Sequence, residues 1–451
     1  MKNYRRFKHL TWIGLILSTL LLCGCQVSPA ERLISHTYPE TGDELSAFGW
    51  VGVSFKQPMS QETVEGAFLI SPDVSGQIFW EDNTFWFRPL LAFKQDKLYQ
   101  ANLNGDLETT DGQIISVNLT WDFSIREPDL IYYVREGDLG EIWRCASDGS
   151  QVQQLSITGG NVFDFAPNQS GTWIAYTVRN ESNGRDLWVM DRDGENQQLL
   201  IDCRQDICSE PAWSMDQAWI AYSRETYKDE TGGFQPAQVW QVKVQSGETV
   251  PLYQDEIVFA RSPSFSPDGE KLALYDVTEH MIRAVELQTL KETLIPRALP
   301  GTGSWSLDGS QILFTDEVPA VMEPFVDLYL ADLSTGEVKT ALSEAITDTT
   351  FGQPRWSPDG EWVAISLRPA NAAVSKMLWL LSLRGENHLS ITNDQSATYS
   401  AYRWGPWGQR LVYQRLALGC SDPQVSLWLW DWQTKRGILI VGNGARPEWL
   451  P

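Results

Sequence analysis

PRWSPDGEWVAIS (354–366) reads as the end of one strand, a tight turn and a second strand, and variants of this phrase recur through the chain. In the turn, Pro358 fixes φ, Asp359 accepts backbone hydrogen bonds and Gly360 takes a positive φ, so the chain reverses there. The aromatic before it, Trp356, is a large apolar anchor. The other copies are FDFAPNQSGTWIAYT (163–177), PAWSMDQAWIAYS (211–223), PSFSPDGEKLALY (263–275), GSWSLDGSQILFT (303–315), YRWGPWGQRLVYQ (402–414) and a truncated PEWLP (447–451). Their anchors, Phe165, Trp213, Phe265, Trp305, Trp356, Trp404 and Trp449, fall 40 to 52 residues apart. That period suits one four-stranded propeller blade. A unit of this size buries no core alone and must stack on its neighbours.

Within each unit the second strand alternates apolar and polar residues. A variable loop follows, then a strand such as DLWVMD (186–191), DLYLADL (327–333) or MLWLLSL (377–383), and a hairpin turn such as DRDG or STGE. The first blade begins with IYYV (131–134) and lacks its anchor strand, while PEWLP is that strand and nothing else, so the C-terminal segment is expected to complete blade one. The fold class expected is all-β, with a seven-bladed propeller and six or eight blades as the alternatives.

The phrases resemble the TolB-type propeller repeat, PxWSPDGxxIAY followed by LWVMDxDG, over 128–451. The chain departs from that pattern at GPWGQ (405–409) and APNQSG (166–171), and the α/β domain that precedes the propeller in TolB is not here. Instead, 33–127 reads as short alternating strands with frequent turn signals, an antiparallel sandwich. VSFKQPMS, FWFRPLLAF and YQANLNGDLETTDG resemble bacterial immunoglobulin-like domains, which implies a spacer or adhesion module.

Lys2, Arg5, Arg6 and Lys8 precede an apolar run, Leu10 to Leu22, too short to span a bilayer comfortably. Leu22-Cys23-Gly24-Cys25 resembles a lipoprotein cleavage site. The resemblance implies a signal peptide over 1–24, lipidation at Cys25, a tether over 25–32, and attachment to the extracytoplasmic side of a membrane in a bacterial cell envelope. An uncleaved anchor or an ordinary signal peptide are the alternatives. The formal net charge of −23 argues against nucleic acid as a partner.

Cys203 and Cys208, five residues apart, suit a disulfide in an oxidising compartment, and Cys145 with Cys420 could brace the ring closure. Outside the leader the histidines are His36, His280 and His388. They suggest no Ser-His-Asp arrangement, and no GxSxG elbow is present. The Asp-Gly pairs are turn chemistry rather than a sialidase Asp-box, and DRDGEN lacks the ligand spacing of a calcium loop. No cofactor, metal site or catalytic residue is expected.

The function expected is a membrane-tethered, non-catalytic binding scaffold with an envelope or extracellular protein as partner. The alternative is a carbohydrate-active or peptide-cleaving enzyme using acidic residues on the propeller loops. The turns after the anchors are short and regular, whereas the loops on the opposite face, 224–238, 315–327 and 367–377, are long and varied, which is where recognition is usually placed. Glu210, Thr302, Gln353 and Arg446, just before their anchors, are expected to ring the channel mouth there. Tyr227, Phe234 and Phe325 are candidate exposed apolar contacts; the competing reading makes all of these tolerated insertions and solvated charges.

Overall fold

The computed structural model describes residues 32–136, 139–254, 257–318, 325–342, 349–369, 374–383, 387–419 and 424–451. Cys25 and Cys420 lie outside them.

From residue 34 to 125 the chain forms two four-stranded sheets around one core. One runs Ile34–Tyr38, Val51–Phe55, Thr84–Pro89, Gly76–Glu81; the other Glu44–Leu45, Ile114–Ile125, Tyr99–Glu108, Phe68–Ser71. Strand alternation decides what goes inside: in Thr84–Pro89, Phe85 and Phe87 are buried while Trp86 between them is only half-buried. Phe93, Trp121 and Phe123 complete a densely aromatic interior. A short helix, Gln61–Ala67, joins the two sheets and buries Val64. Its seven residues carry too little periodicity to stand out from the surrounding strands.

From Asp129 onward the described residues form antiparallel sheets taken up in chain order. Ile207–Trp213, Trp219–Glu225, Gln238–Lys243 and Thr249–Pro251 make one; a single parallel bridge, Arg185 to Ile207, links it to the preceding sheet. Further sheets begin at Ala260, Ser304, Thr349 and Ala397. Asp129–Glu136 pairs on one edge with Leu139–Cys145 and on the other with Ala445–Leu450, so the end of the chain supplies the first sheet's missing strand.

The repeated phrase has a repeated physical job. The amides of Trp219, Lys271, Gln311 and Trp362 donate to the Oγ of Ser214, Ser266, Ser306 and Ser357 at 3.0, 2.9, 2.9 and 3.0 Å, and each Oγ donates in turn to the Asp two residues on. The anchors clasp neighbouring sheets. Trp213 Nε1 donates to the Ala166 carbonyl at 3.0 Å, Trp305 to Ser264, Trp404 to Arg355 and Trp449 to Arg403, each at 3.1 Å. Each such bond contributes about 1 kcal/mol net, beyond the apolar area the indoles bury.

Cys203 and Cys208 are disulfide-bonded, with Cα atoms 6.4 Å apart. Cys145 is a free thiol, which corrects the expectation of a bridge to Cys420. It sits fully buried among Leu130, Tyr132, Leu427 and Leu429, and burial pushes its pKa up to about 12. It fills space between the first and last sheets as a small apolar side chain.

Candidate partner-binding site at the channel mouth

Each first strand runs from the long-loop face toward the Ser-Asp turns, and in several of the sheets it bulges before the anchor. The pairing register shifts between Ser209 and Ala212, Arg261 and Ser264, Ser400 and Arg403, and Ala445 and Glu448. Glu210, Ser262, Ala401 and Arg446, each three residues before its anchor, have φ of 54°, 56°, 46° and 52°. A non-glycine residue there costs roughly 1–2 kcal/mol, and the bulge re-aims its side chain.

Two of the four residues expected at the mouth meet around Asp164. Arg446 Nη2 lies 2.7 Å from Asp164 Oδ1, and the Glu210 amide donates to Oδ2 at 3.3 Å. Arg446 also donates to the Phe163 carbonyl. Glu210 in turn accepts from Arg261 at 2.9 Å, from the Ser262 amide at 2.9 Å, from Ser262 Oγ at 3.0 Å and from Ser223 Oγ at 2.8 Å. Burial works to raise the Glu210 pKa, but Arg261 and these donors outweigh it and hold the carboxyl below its ordinary value. Its hydrogen bond keeps Arg261 above the usual arginine value. Thr302, half-buried, and Gln353, exposed, stand at the equivalent place in their own segments, but no bond among the described residues joins them to this cluster.

The apolar candidates are more sheltered than expected. Tyr227 is half-buried, its ring 5.4 Å from that of Phe234 across a two-stranded hairpin, because the long loop folds on itself. Phe325 is half-buried at the start of Phe325–Asp332. Phe234 alone of the three is exposed, at 45%.

Asp164, Arg261, Arg403 and Glu448 were missed as site residues. Asp164, Arg403 and Glu448 each immediately precede an anchor, so aligning the repeats column by column would have found them. Arg403 grips Glu448 with Nε 2.8 Å from both carboxylate oxygens and Nη2 at 2.7 Å.

The opposite face is occupied. Trp407, in the divergent GPWGQ turn, donates through Nε1 to the Phe93 carbonyl at 2.7 Å and packs against the N-terminal core. Arg410 pairs with Glu127, and Arg126 donates to the Pro451 carbonyl at 2.8 Å. The N-terminal sheets thus lean on the turns, with a cavity of about 1030 Å3 between Leu90, Leu91 and Gln95 on one side and Pro267, Leu307 and Pro406 on the other. The divergent APNQSG turn is shaped by the closing strand: a side chain at Gly171 would collide with the Pro451 carbonyl oxygen. Among the described residues no cluster of His, Cys, Asp and Glu could hold a metal ion, and no helix is long and apolar enough to cross a membrane.

No family model matches the chain. The Tol-Pal system protein TolB of Francisella tularensis subsp. mediasiatica is 24% identical over 237 residues, 51% of this chain and 50% of that protein. The chain spans about half the length of the curated relatives it matches. Among solved structures, a puromycin hydrolase has a TM-score of 0.52 at 13% identity, covering 71% of this chain and 54% of its own. A prolyl endopeptidase has a TM-score of 0.51 at 12%, covering 70% and 48%. TolB from Acinetobacter baumannii has a TM-score of 0.41 at 18%, covering 72% and 83%. With its repeats and its sheets in chain order, the C-terminal part of this chain has the fold of a β-propeller, and it is similar in sequence to TolB.

Proposed function

We propose that the protein is a lipid-anchored scaffold of the bacterial cell envelope, on the extracytoplasmic side, whose propeller binds a protein partner without catalysis. On this reading 1–24 is a signal peptide, Cys25 carries the lipid, 25–32 is a tether, 33–127 is an immunoglobulin-like spacer and 128–451 is a seven-bladed propeller. The observation that carries the docking surface is the occupied turn face: with the sandwich leaning on the turns, the long-loop face is left to meet a partner. There Glu210, Arg446, the half-sheltered Tyr227 and Phe325 and the exposed Phe234 offer a charged mouth with an apolar rim, flanked by Thr302 and Gln353. The disulfide between Cys203 and Cys208 supports an oxidising compartment. Arg261 and the surrounding donors hold the Glu210 carboxyl below its ordinary pKa, a poor state for a general acid.

Two measurements test the reading. Cys25→Ser is expected to release the protein from the membrane fraction or halt its maturation; unchanged fractionation would remove the anchor. Alanine and charge-reversal sets on the two faces, scored by recovery of the partner captured with the native lipoprotein, are expected to lose it only from the long-loop face. Loss confined to the turn face would overturn the docking surface.

A further inference from the structure

We propose that Arg355, on the wall of the central channel, binds a carboxylate. Arg355 immediately precedes Trp356, as Arg403 precedes Trp404 and Glu448 precedes Trp449. These three residues stand on adjacent sheets two positions beyond the bulge level of Arg446, about 6–7 Å nearer the turn face at the rise of a strand. Arg403 and Glu448 neutralise one another through the bonds described above. Arg355 is left over: the bond it donates is to the neighbouring Pro354 carbonyl at a long 3.4 Å, and among the described residues no carboxylate pairs with it.

Its surroundings make that state costly. Arg355 is half-buried. Burial first, and the like charge of Arg403 second, push its pKa down, against the attraction of Glu448. A cation held this way is destabilising unless a counter-charge joins it. The residues at the equivalent position on the preceding sheets are short, Ser304, Ser264 and Ala212, and leave room for one. Asp164, at the same position beside another anchor, is already paired with Arg446, so the two guanidiniums and Glu448 leave a single positive charge, which one carboxylate balances, and the planar guanidinium fork matches its two oxygens. This deepens the partner-binding reading: a segment entering from the long-loop face would present the acid.

The test needs no partner. The purified full chain is titrated calorimetrically with acetate and with the peptide Ac-Gly-Asp-Gly-NH2, using Ac-Gly-Asn-Gly-NH2 as the neutral control, all at equal ionic strength in chloride. The aspartyl peptide is expected to bind and the asparaginyl peptide not. Arg355→Gln is expected to weaken binding at least tenfold, and Arg355→Lys to retain part of it. Acetate binding without the peptide would assign the site to small free carboxylates; binding of both would admit an acidic side chain. Binding of neither, or unchanged binding by Arg355→Gln, overturns the proposal. In chloride alone Arg355→Gln is expected to melt no lower than the parent, because no internal ion pair is lost. A large drop would instead make Arg355 part of the fold and overturn the site. A native partner lost from long-loop variants while no carboxylate binds would leave the docking surface standing and this inference fallen.

Discussion

The indole of Trp449 donates to the carbonyl of Arg403 at 3.1 Å, so an anchor two residues from the end of the sequence is clamped to the sheet before it in the ring. The same strand pairs Trp449 with Leu130 and Leu450 with Asp129. Deleting Arg446 to Pro451 is therefore expected to remove a whole ladder, and Trp449→Ala alone to cost about 3–5 kcal/mol. Thermal melting of the two variants against the parent checks this; an unchanged midpoint for the deletion would mean that the closing strand is dispensable.

The Cys203–Cys208 bond closes a small loop, and the chain-entropy account gives such a loop about 2 kcal/mol. The double variant Cys203→Ser/Cys208→Ser should lose about that much in denaturant unfolding. The free thiol of Cys145 should resist a soluble alkylating reagent in the native state and react once the chain unfolds.

Glu210 has its folded pKa depressed, so its contribution is present above the unfolded value of about 4.5 and is lost as pH falls through the lower folded value. Glu210→Gln is expected to be less stable than the parent at neutral pH, with the gap closing as pH drops below about 4.5. Denaturation midpoints measured from pH 7 down to pH 3 read this directly, and a gap that stays constant would mean the carboxylate's charge is not what the mouth uses.

Trp407→Ala should loosen the two parts of the chain from each other rather than unfold either. Removing its hydrogen bond to Phe93 and its apolar contact is expected to raise cleavage by a protease between the sandwich and the propeller while the main melting transition stays near the parent's. Small-angle scattering should report a larger radius for the variant.

Much of the propeller is legible because its contacts are local and repeated. The Ser-x-Asp-Gly turn writes its own hydrogen bonds within five residues, and each anchor aromatic returns on schedule. Trp449 could be assigned to blade one because it lacked the strand that should follow it. Contacts without a period were not legible. Arg446 and Asp164 meet across 282 positions, and nothing near either residue announces the other. Trp407 stands where the turn departs from its pattern, yet the departure does not name Phe93 as its target. Tyr227 looked exposed because its loop is long, but the loop folds back and shelters it with Phe234. The helix Gln61–Ala67 escaped because a single buried residue, Val64, leaves no repeat to read.

The latch formed by Ala445–Leu450 on Asp129–Glu136 also governs when the molecule can become itself. A chain made or exported from its first residue onward offers the sandwich and the early sheets long before Trp449 exists. Until then Leu130, Tyr132 and the open edge of Asp129–Glu136 stand unpartnered, a bare strand of the kind that invites pairing with another chain. Joining residues this far apart adds little to the closure entropy, since each doubling of a loop costs only about 0.6 kcal/mol, but it sets an order of events. Protection of that edge must come from elsewhere while it waits, by a chaperone, by the nearby sandwich or by speed. A protein truncated by even six residues would remain, in this respect, permanently nascent.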